Sequence, residues 1–253
     1  MQYTLKKSLG QHFLTDKSVC ERIRAILLER PVERLVEVGP GAGALTEYIY
    51  TLPTEAFKAI ELDTEKVQYL LHTYPALEGK LINEDILDTA IPFADPFVLV
   101  GNFPYNISTQ IVFKVLDWKA HVPIMIGMFQ KEVAERIAAK PHSKAYGILS
   151  VLTQAFYDVT YLFDVPPTAF NPPPKVDSGV IMLTRKSAYP PMASEKSFYH
   201  IVKMAFGQRR KMLRNPLKPY FTAAQLEDPI FTKRAENLTF EDYAALTFKM
   251  HQP

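Results

Sequence analysis

The sequence has little of what several classes of protein depend on. Its single cysteine, Cys20, can form neither an intramolecular disulfide nor a cysteine-based zinc site, so we expect a reducing, cytoplasmic environment. The six histidines show no paired ligand spacing, and no metal site is predicted. The longest apolar run, 122–129, is far too short to span a bilayer, and the first seven residues lack the apolar segment of a secretory signal. We therefore expect no membrane association.

The composition that remains is that of a globular protein with an uneven charge distribution. Hydrophobic residues make up 47% of the 253 residues and charged residues 22%, which is enough apolar surface for a full core. This length predicts one large domain, or one large and one small domain. Residues 187–253 carry 10 Lys/Arg against 6 Asp/Glu, whereas residues 1–186 carry 19 against 21. A basic C-terminal part on a mildly acidic body indicates a polyanionic partner.

Apolar runs of strand length alternate with helical stretches through the first 186 residues. This alternation predicts an α/β fold with a mostly parallel sheet and helices on both faces. The last two predicted strands, at 157–165 and 180–185, are separated by a proline-rich loop. They predict an antiparallel edge to the sheet.

The C-terminal part has a different pattern. Residues 187–194 have the composition of a linker, and the pattern beyond them is helical, with one helix expected near 208–217. The predicted organisation is therefore a domain at 1–186, a linker and a small all-α domain at 195–253.

A glycine-rich turn and two carboxylates point to an adenosine cofactor. Gly39 opens a turn between a predicted strand and a predicted helix, where glycines let the backbone approach a ligand closely. Glu61 ends the second strand and can accept hydrogen bonds from both ribose hydroxyls, and Asp85 ends the third and can accept from an adenine amino group. Successive strand ends line one crevice in such sheets. The turn alone does not distinguish NAD from S-adenosylmethionine.

The residues directly after the fourth predicted strand indicate the reaction. The side-chain carbonyl of Asn102 and a backbone carbonyl near Phe103 can accept from one exocyclic amine and aim its lone pair at an electrophile. Pro104 stiffens the turn, and Tyr105 offers a flat face on which a base taken out of its own stack can rest. Amine methylation needs positioning and no cysteine nucleophile. Because Cys20 lies outside these motifs, a cytosine C5-methyltransferase is disfavoured.

Over nearly the whole chain the sequence resembles the ribosomal RNA adenine dimethyltransferase family. The matching blocks lie at 7–14, 37–43, 83–86, 102–109, 129–134, 170–178, 205–211 and 234–237. The resemblance implies a class I methyltransferase with a Rossmann-like sheet and a small helical C-terminal domain. It further implies that S-adenosylmethionine is used to dimethylate two adjacent adenosines in the 3′-terminal hairpin loop of 16S rRNA, in the small (30S) ribosomal subunit or its precursor. We expect a cytoplasmic monomer.

The resemblance also assigns roles to individual residues. The expected cofactor contacts are His12, Leu14, Gly39, Glu61, Asp85 and Asn102, with Gln11 beside them. Asn102, Pro104 and Tyr105 are expected to be catalytic, with Tyr105 stacking on the target base and Phe170 forming a second wall of its pocket. One departure is Phe103, where the family usually has an aliphatic residue. A phenyl group there can narrow the pocket.

Charge concentrated beside the linker predicts a phosphate-binding surface. Its expected members are Arg209, Arg210, Lys211 and Arg214, on consecutive turns of one helix, with Lys6 and Lys7 as possible additions. A solvated helix face is the alternative interpretation.

Three other functions remain open at this stage. A large-subunit RNA adenine methylase of the macrolide-resistance type shares the chemistry of Asn102–Tyr105, but the blocks at 10–14 and 209–211 favour the small-subunit enzyme. A non-catalytic RNA-binding factor leaves the intact cofactor residues unexplained. An NAD-dependent dehydrogenase accounts for the glycine turn and leaves Asn102–Tyr105 without a role.

Overall fold

The computed structural model describes residues 12–251, which form two compact units. The first contains the chain up to Ala134 together with Thr160–Arg185, and the second contains Glu135–Val159 together with the chain from Lys186 onward. The first unit thus ends within one residue of the predicted boundary at 186. The segment 135–159, which the sequence predicted in the first domain, belongs to the second unit.

The first unit is built on parallel strands that alternate with helices. Its strands are β1 (Phe13–Leu14), β2 (Arg34–Val38), β3 (Ala56–Ile60), β4 (Leu81–Ile82), β5 (Val98–Asn102), β6 (Ile124–Gln130), β7 (Tyr157–Val165, whose first three residues fall in the second unit), β8 (Phe170–Asn171) and β9 (Ser178–Arg185). Its helices are α1 (Lys17–Leu28), α2 (Thr46–Ile49), α3 (Thr64–Thr73), α4 (Ser108–Asp117) and the first half of α5 (Lys131–Ala138).

Seven of these strands form one sheet in the order β4-β3-β2-β5-β6-β9-β7. The pairs from β4 to β6 are parallel, and β9 runs antiparallel to β6, with Gln130 opposite Ser178. The predicted α/β fold and its antiparallel edge are confirmed. Chain order reverses between β2 and β5, and ligands of such sheets bind at the carboxyl ends of the strands beside this reversal.

The local sequence explains why these elements form where they do. β2 and β5 are buried along most of their length, and each carries three large apolar residues, as expected for strands covered on both faces. The carboxylates of Asp16 and Asp63 accept from the main-chain N–H groups of Ser18 and Glu65, which caps α1 and α3. The short strands β1 and β8 pair outside the main sheet and bring Leu14 opposite Phe170.

The second unit is helical beyond residue 186 within the described range. It contains α6 (Ile148–Phe156), α7 (Glu195–Gly207), α8 (Arg214–Leu217) and α9 (Phe240–Thr247), with short 3-10 turns between α8 and α9. α6 packs against α7 and α9, and its Phe156 ring lies 6.3 Å from that of Phe198. Because α6 is apolar on nearly every side, its burial requires these partners. This packing explains why 135–159 joins the second unit.

The helix predicted at 208–217 is wrong over most of its length. The helical part is confined to α8, and the chain before it forms turns in which Met212 makes an isolated β-bridge with Arg234. The main-chain N–H of Leu213 also donates to the carbonyl of Lys233 at 2.8 Å. These contacts with a distant segment replace the local hydrogen bonds of a helix.

Candidate functional site

A cavity of about 490 Å³ lies at the carboxyl ends of β2, β3, β4 and β5, beside the chain reversal of the sheet. Every residue that lines it belongs to the first unit. The lining consists of His12, Phe13, Leu14, Glu37, Val38, Gly39, Pro40, Gly41, Ala42, Ala44, Leu45, Ile60, Glu61, Leu62, Asp63, Lys66, Glu84, Asp85, Ile86 and 102–107. The structure therefore brings together every predicted cofactor residue that it describes. Gln11, Lys6 and Lys7 lie outside the described residues.

The glycine turn forms one wall of this cavity. Gly39 and Gly41 have φ values of 69° and 60°, in the left-handed region that favours glycine. The Gly39 N–H is bound to the carbonyl of Ile60 at 2.9 Å, which ties the turn to the end of β3. Gly43 also has a positive φ, and in addition a Cβ there would lie 2.7 Å from the ring of Tyr74.

Glu61 is held rigidly and keeps acceptor capacity for a ligand. Its carboxylate is 6% exposed and accepts from the main-chain N–H groups of Gly41 and Asp63, each at 3.0 Å. The ammonium group of Lys66 lies 3.8 Å from the same carboxylate. Each oxygen accepts a hydrogen bond from one N–H group, so each retains a lone pair that can accept a further hydrogen bond from a hydroxyl group.

Asp85 presents one free side of its carboxylate to the cavity. Its Oδ1 accepts from the main-chain N–H of Leu87 at 2.9 Å, which fixes the turn after β4. Nearby, the Asn83 amide donates to the carbonyls of Glu61 and Leu62 at 2.8 and 3.0 Å. This clamp joins the ends of β3 and β4 and so sets the spacing between the two acidic residues.

Glu37 is a second buried carboxyl group in the cavity wall, and nothing in the sequence predicts its protonation state. Burial raises the pKa of Glu37 to about 8, and the nearby Glu61 carboxylate adds to the rise. Its Oε2 atom has no hydrogen-bond partner among the described residues. The group is therefore protonated over much of the physiological pH range.

Asn102 and Tyr105 line the cavity where β5 ends, and the turn that contains them lies beside Gly39. Asn102 is the last residue of β5, and its side chain makes no hydrogen bond to the part of the chain that the structure describes, so its carbonyl is available to an amine. The Tyr105 hydroxyl lies 2.6 Å from that of Ser178, and its ring lies 5.8 Å from the ring of His12, tilted by 31°. Burial raises the pKa of Tyr105, which keeps the phenol protonated.

The phenyl ring of Phe103 does not constrict the cavity. It is buried and packs edge-on against Phe129, with ring centroids 5.1 Å apart. A Cβ at Gly127 would meet the Phe103 ring, so the absence of a side chain at Gly127 makes room for it. The ring thus packs into the sheet interior, while Phe103 remains among the residues that line the cavity.

The N-terminal residues of the site are anchored to the proline-rich loop. The Nδ1–H of His12 donates to the carbonyl of Pro172 at 2.8 Å. Leu14 lines the cavity and is buried. Phe170 is only 4% exposed within the same core cluster and is not among the residues lining the cavity, so the structure does not bring it to the site.

A separate basic surface lies in the second unit, and we define it by three segments, 140–144, 209–214 and 233–237. The His142 N–H donates to the carbonyl of Glu236 at 2.8 Å, and the Arg209 guanidinium donates to the carbonyl of Ser143 at 3.2 Å. The exposed cations of this basic surface are Lys140, Lys144, Arg210, Lys211, Arg214, Lys233 and Arg234.

Within these three segments the single acidic residue, Glu236, is paired with Arg209 at 3.4 Å. Arg209 therefore holds the surface together, while its predicted partners Arg210, Lys211 and Arg214 project from it. The sequence did not reveal Lys140 and Lys144 as members, since they lie far from the others in the chain.

The described residues contain neither a cluster suited to a metal ion nor a helix suited to a membrane. Among residues 12–251, no group of histidine, cysteine and acidic side chains is arranged to hold a metal ion. Within that same range, no helix has the length and apolar character needed to cross a membrane.

Comparisons with known proteins agree with this geometry. The model of the ribosomal RNA adenine dimethylase family matches residues 2–250. A protein of Flavobacterium johnsoniae named ribosomal RNA small subunit methyltransferase A is 50% identical over 249 residues, which cover 97% of this chain and 95% of that protein.

Two solved structures share the fold. A dimethyladenosine transferase of Plasmodium falciparum superposes with a TM-score of 0.75 at 24% identity, covering 92% of this chain and 94% of the other. The 23S rRNA methyltransferase ErmE superposes with a TM-score of 0.73 at 23% identity, covering 95% and 100%. The predicted class I methyltransferase fold is confirmed, and the fold alone does not separate small-subunit from large-subunit substrates.

Proposed function

The chain belongs to the ribosomal RNA adenine dimethylase family, and from this premise we propose that it dimethylates the exocyclic amines of two adjacent adenosines in the 3′-terminal hairpin loop of 16S rRNA. The substrate is the small ribosomal subunit or its precursor, which places the activity in the cytoplasm. The observation that carries the proposal is the meeting of Asn102 and Tyr105 with Glu61 and Asp85 around one cavity. Because one chain supplies all of these groups, we infer that the monomer is active.

The residues of the cavity fit S-adenosylmethionine. The Glu61 carboxylate, fixed by two main-chain N–H groups, has the geometry to accept the two ribose hydroxyls, and the free side of Asp85 can accept from the adenine amine. Gly39 and Gly41 line the cavity at the end of β2 and have no side chains, so the backbone there can approach the remainder of the molecule closely. When bound, S-adenosylmethionine supplies a methyl group that is electrophilic because it is attached to a sulfonium.

The chain's own contribution to the reaction is to position the target amine. The carbonyl of the Asn102 side chain and the backbone carbonyl of Phe103 would accept from the exocyclic N–H groups of the target base, which would hold the amine in place and keep its nitrogen lone pair free as the nucleophile. Tyr105 stacks on the extruded base, and its protonated hydroxyl stays bound to Ser178. Pro104 restricts the turn that joins these groups.

The basic surface of the second unit is proposed to bind the phosphates of the ribosomal RNA. Its exposed cations outnumber its single acidic residue, which is already paired with Arg209. Such a surface provides affinity without sequence preference and releases counterions on binding. The choice of adenosine is then made at the cavity.

Labelled methyl transfer to separated ribosomal subunits tests the proposed function. Small subunits lacking the modification and intact large subunits are each incubated with the protein and labelled S-adenosylmethionine, and the modified bases are mapped. We expect label on two adjacent adenosines near the 3′ end of 16S rRNA. Label confined to large-subunit RNA would instead identify a large-subunit methylase, and no label on either would refute methyl transfer to ribosomal RNA.

A further inference from the structure

We propose that Ser178 is a positioning residue for methyl transfer, which fixes the ring of Tyr105 in the orientation that the target adenine stacks on. The inference rests on the proposed function, because it concerns the same site. It adds a residue from the antiparallel edge of the sheet to a motif that otherwise comes from the end of β5. Nothing in the spacing of the sequence indicates this link, since the two residues are 73 positions apart.

The hydrogen bond between them anchors the far end of the tyrosine ring. The two hydroxyl oxygens lie 2.6 Å apart, and the Ser178 side chain is 0% exposed. At the near end, the carbonyl of Tyr105 accepts from the Ser108 hydroxyl at 3.1 Å, at the start of α4. The hydroxyl of Tyr105 and its main chain are thus each held by a serine, and rotation of the ring about the Cα–Cβ bond would break the contact with Ser178.

The sheet makes Ser178 a rigid anchor. Ser178 begins β9 and lies opposite Gln130 in the β6–β9 ladder. The residue before it, Asp177, accepts from the main-chain N–H of Lys131 at 2.9 Å, which extends the pairing beyond the strand. The serine hydroxyl is therefore positioned by main-chain hydrogen bonds of the sheet and does not depend on the conformation of a loop.

The chemistry of the pair keeps the contact intact under working conditions. Burial raises the pKa of Tyr105, so the phenol retains its proton and can donate to Ser178 Oγ. The ring of His12 lies 5.8 Å from that of Tyr105 and is itself hydrogen-bonded to the carbonyl of Pro172 in the loop before β9. Residues 170–178 thus hydrogen-bond to the side chains of both His12 and Tyr105. This block therefore helps to orient the tyrosine ring on which the target base stacks.

A double-mutant cycle tests the proposal. Ser178→Ala and Tyr105→Phe each remove one partner of the hydrogen bond and keep the remaining shape, and the double variant removes both. Single-turnover methyl transfer is measured on pre-bound small subunits lacking the modification, and the affinity for S-adenosylhomocysteine is measured by calorimetry. We expect each single variant to be about 3- to 12-fold slower, as for the loss of one net hydrogen bond, and the double variant to be no slower than the slower single variant. Cofactor affinity should be unchanged in all three.

A matched control separates positioning from stability. Ser150→Ala also removes a buried serine hydroxyl, which binds the carbonyl of Arg136 in the second unit, and it should lower stability without changing the single-turnover rate. A normal rate in Ser178→Ala, or losses that multiply in the double variant, would overturn the proposal. If Tyr105→Ala is strongly impaired in either of these cases, the stacking role of Tyr105 survives and only the role of Ser178 fails. If the wild-type protein transfers no methyl group to the small subunit, the proposed function itself fails.

Discussion

Glu37 and Glu61 are two buried carboxyl groups of one cavity with opposite surroundings. Glu61 binds two main-chain N–H groups and faces an ammonium, whereas Oε2 of Glu37 has no partner among the described residues. The difference follows from position, because Glu37 lies within β2 and Glu61 follows the end of β3. A carboxylate at a strand end can reach free N–H groups of the adjoining turn, and one within a central strand cannot.

The state of Glu37 predicts a pH dependence of stability. Its pKa is about 8 in the folded protein and near its ordinary value of 4.5 in the unfolded chain, so between these values the folded state binds more protons. Stability contributed by this group should fall as the pH rises from 5 to 8, by up to about 1.4 kcal/mol for each pH unit. Urea unfolding of the wild type and Glu37→Gln at several pH values measures it. The free energies of unfolding should diverge in favour of the variant as pH rises, and curves that stay parallel would refute the raised pKa.

At the scale of elements, the sequence predicted what depends on local pattern. The alternation of apolar runs and helical stretches predicted the sheet. The positions of Gly39, Glu61, Asp85 and Asn102 near successive strand ends predicted that they line one cavity, as they do. The segment 208–217 could not be predicted, because its conformation is set by main-chain pairing with Lys233 and Arg234.

The residues that the sequence missed depend on contacts between distant parts of the chain. In the sequence, Lys66 is indistinguishable from the other polar residues of an amphipathic helix. Its ion pair with Glu61 depends on how α3 packs against the end of β3. Ser178 gains its role only when β9 is added to the sheet next to β6. Phe170, placed at the base pocket by resemblance, lies opposite Leu14 and is buried in the core cluster, and its contact with the base stays a prediction.

The glycine turn makes a testable prediction at this scale. Gly43 and Gly79 both have positive φ, 87° and 73°, but a Cβ at Gly43 would collide with Tyr74 whereas one at Gly79 meets nothing within 4 Å. Gly79→Ala should therefore cost about 1–2 kcal/mol from backbone strain alone, and Gly43→Ala should cost more. Denaturant unfolding of both variants measures the difference. Equal losses would show that the packing of Tyr74 against the turn is unimportant.

At the scale of the whole molecule, charge and chemistry are assigned to different units. The cavity lies within the first unit, and the basic surface lies within the second. This division agrees with the charge distribution, because the C-terminal part is positive although the net charge of the whole chain is only +2. It also predicts that variants of the basic surface change RNA binding without changing cofactor affinity.

Salt dependence tests the basic surface. Replacing Arg210, Lys211 and Arg214 by Gln should weaken binding to small subunits and flatten its dependence on salt, with a slope change of about 0.7–0.9 for each lost phosphate contact. Lys196→Gln, at the opposite end of α7, is the matched control and should leave the slope unchanged. Affinity for S-adenosylhomocysteine should be the same in all variants. A salt slope that does not change in the triple variant would show that these cations are only a solvated surface.

The rate of methyl transfer by Asn102→Ala under single-turnover conditions tests whether the residues at the end of β5 position the target amine. The measurement uses small subunits lacking the modification, pre-bound to the protein, and saturating labelled S-adenosylmethionine. The rate should be at least about 100-fold below that of the wild type, because the amine loses the acceptor that orients it. Binding of the small subunit should be retained, since the basic surface is unchanged. A near-normal rate would contradict the claim that the residues at the end of β5 position the target amine.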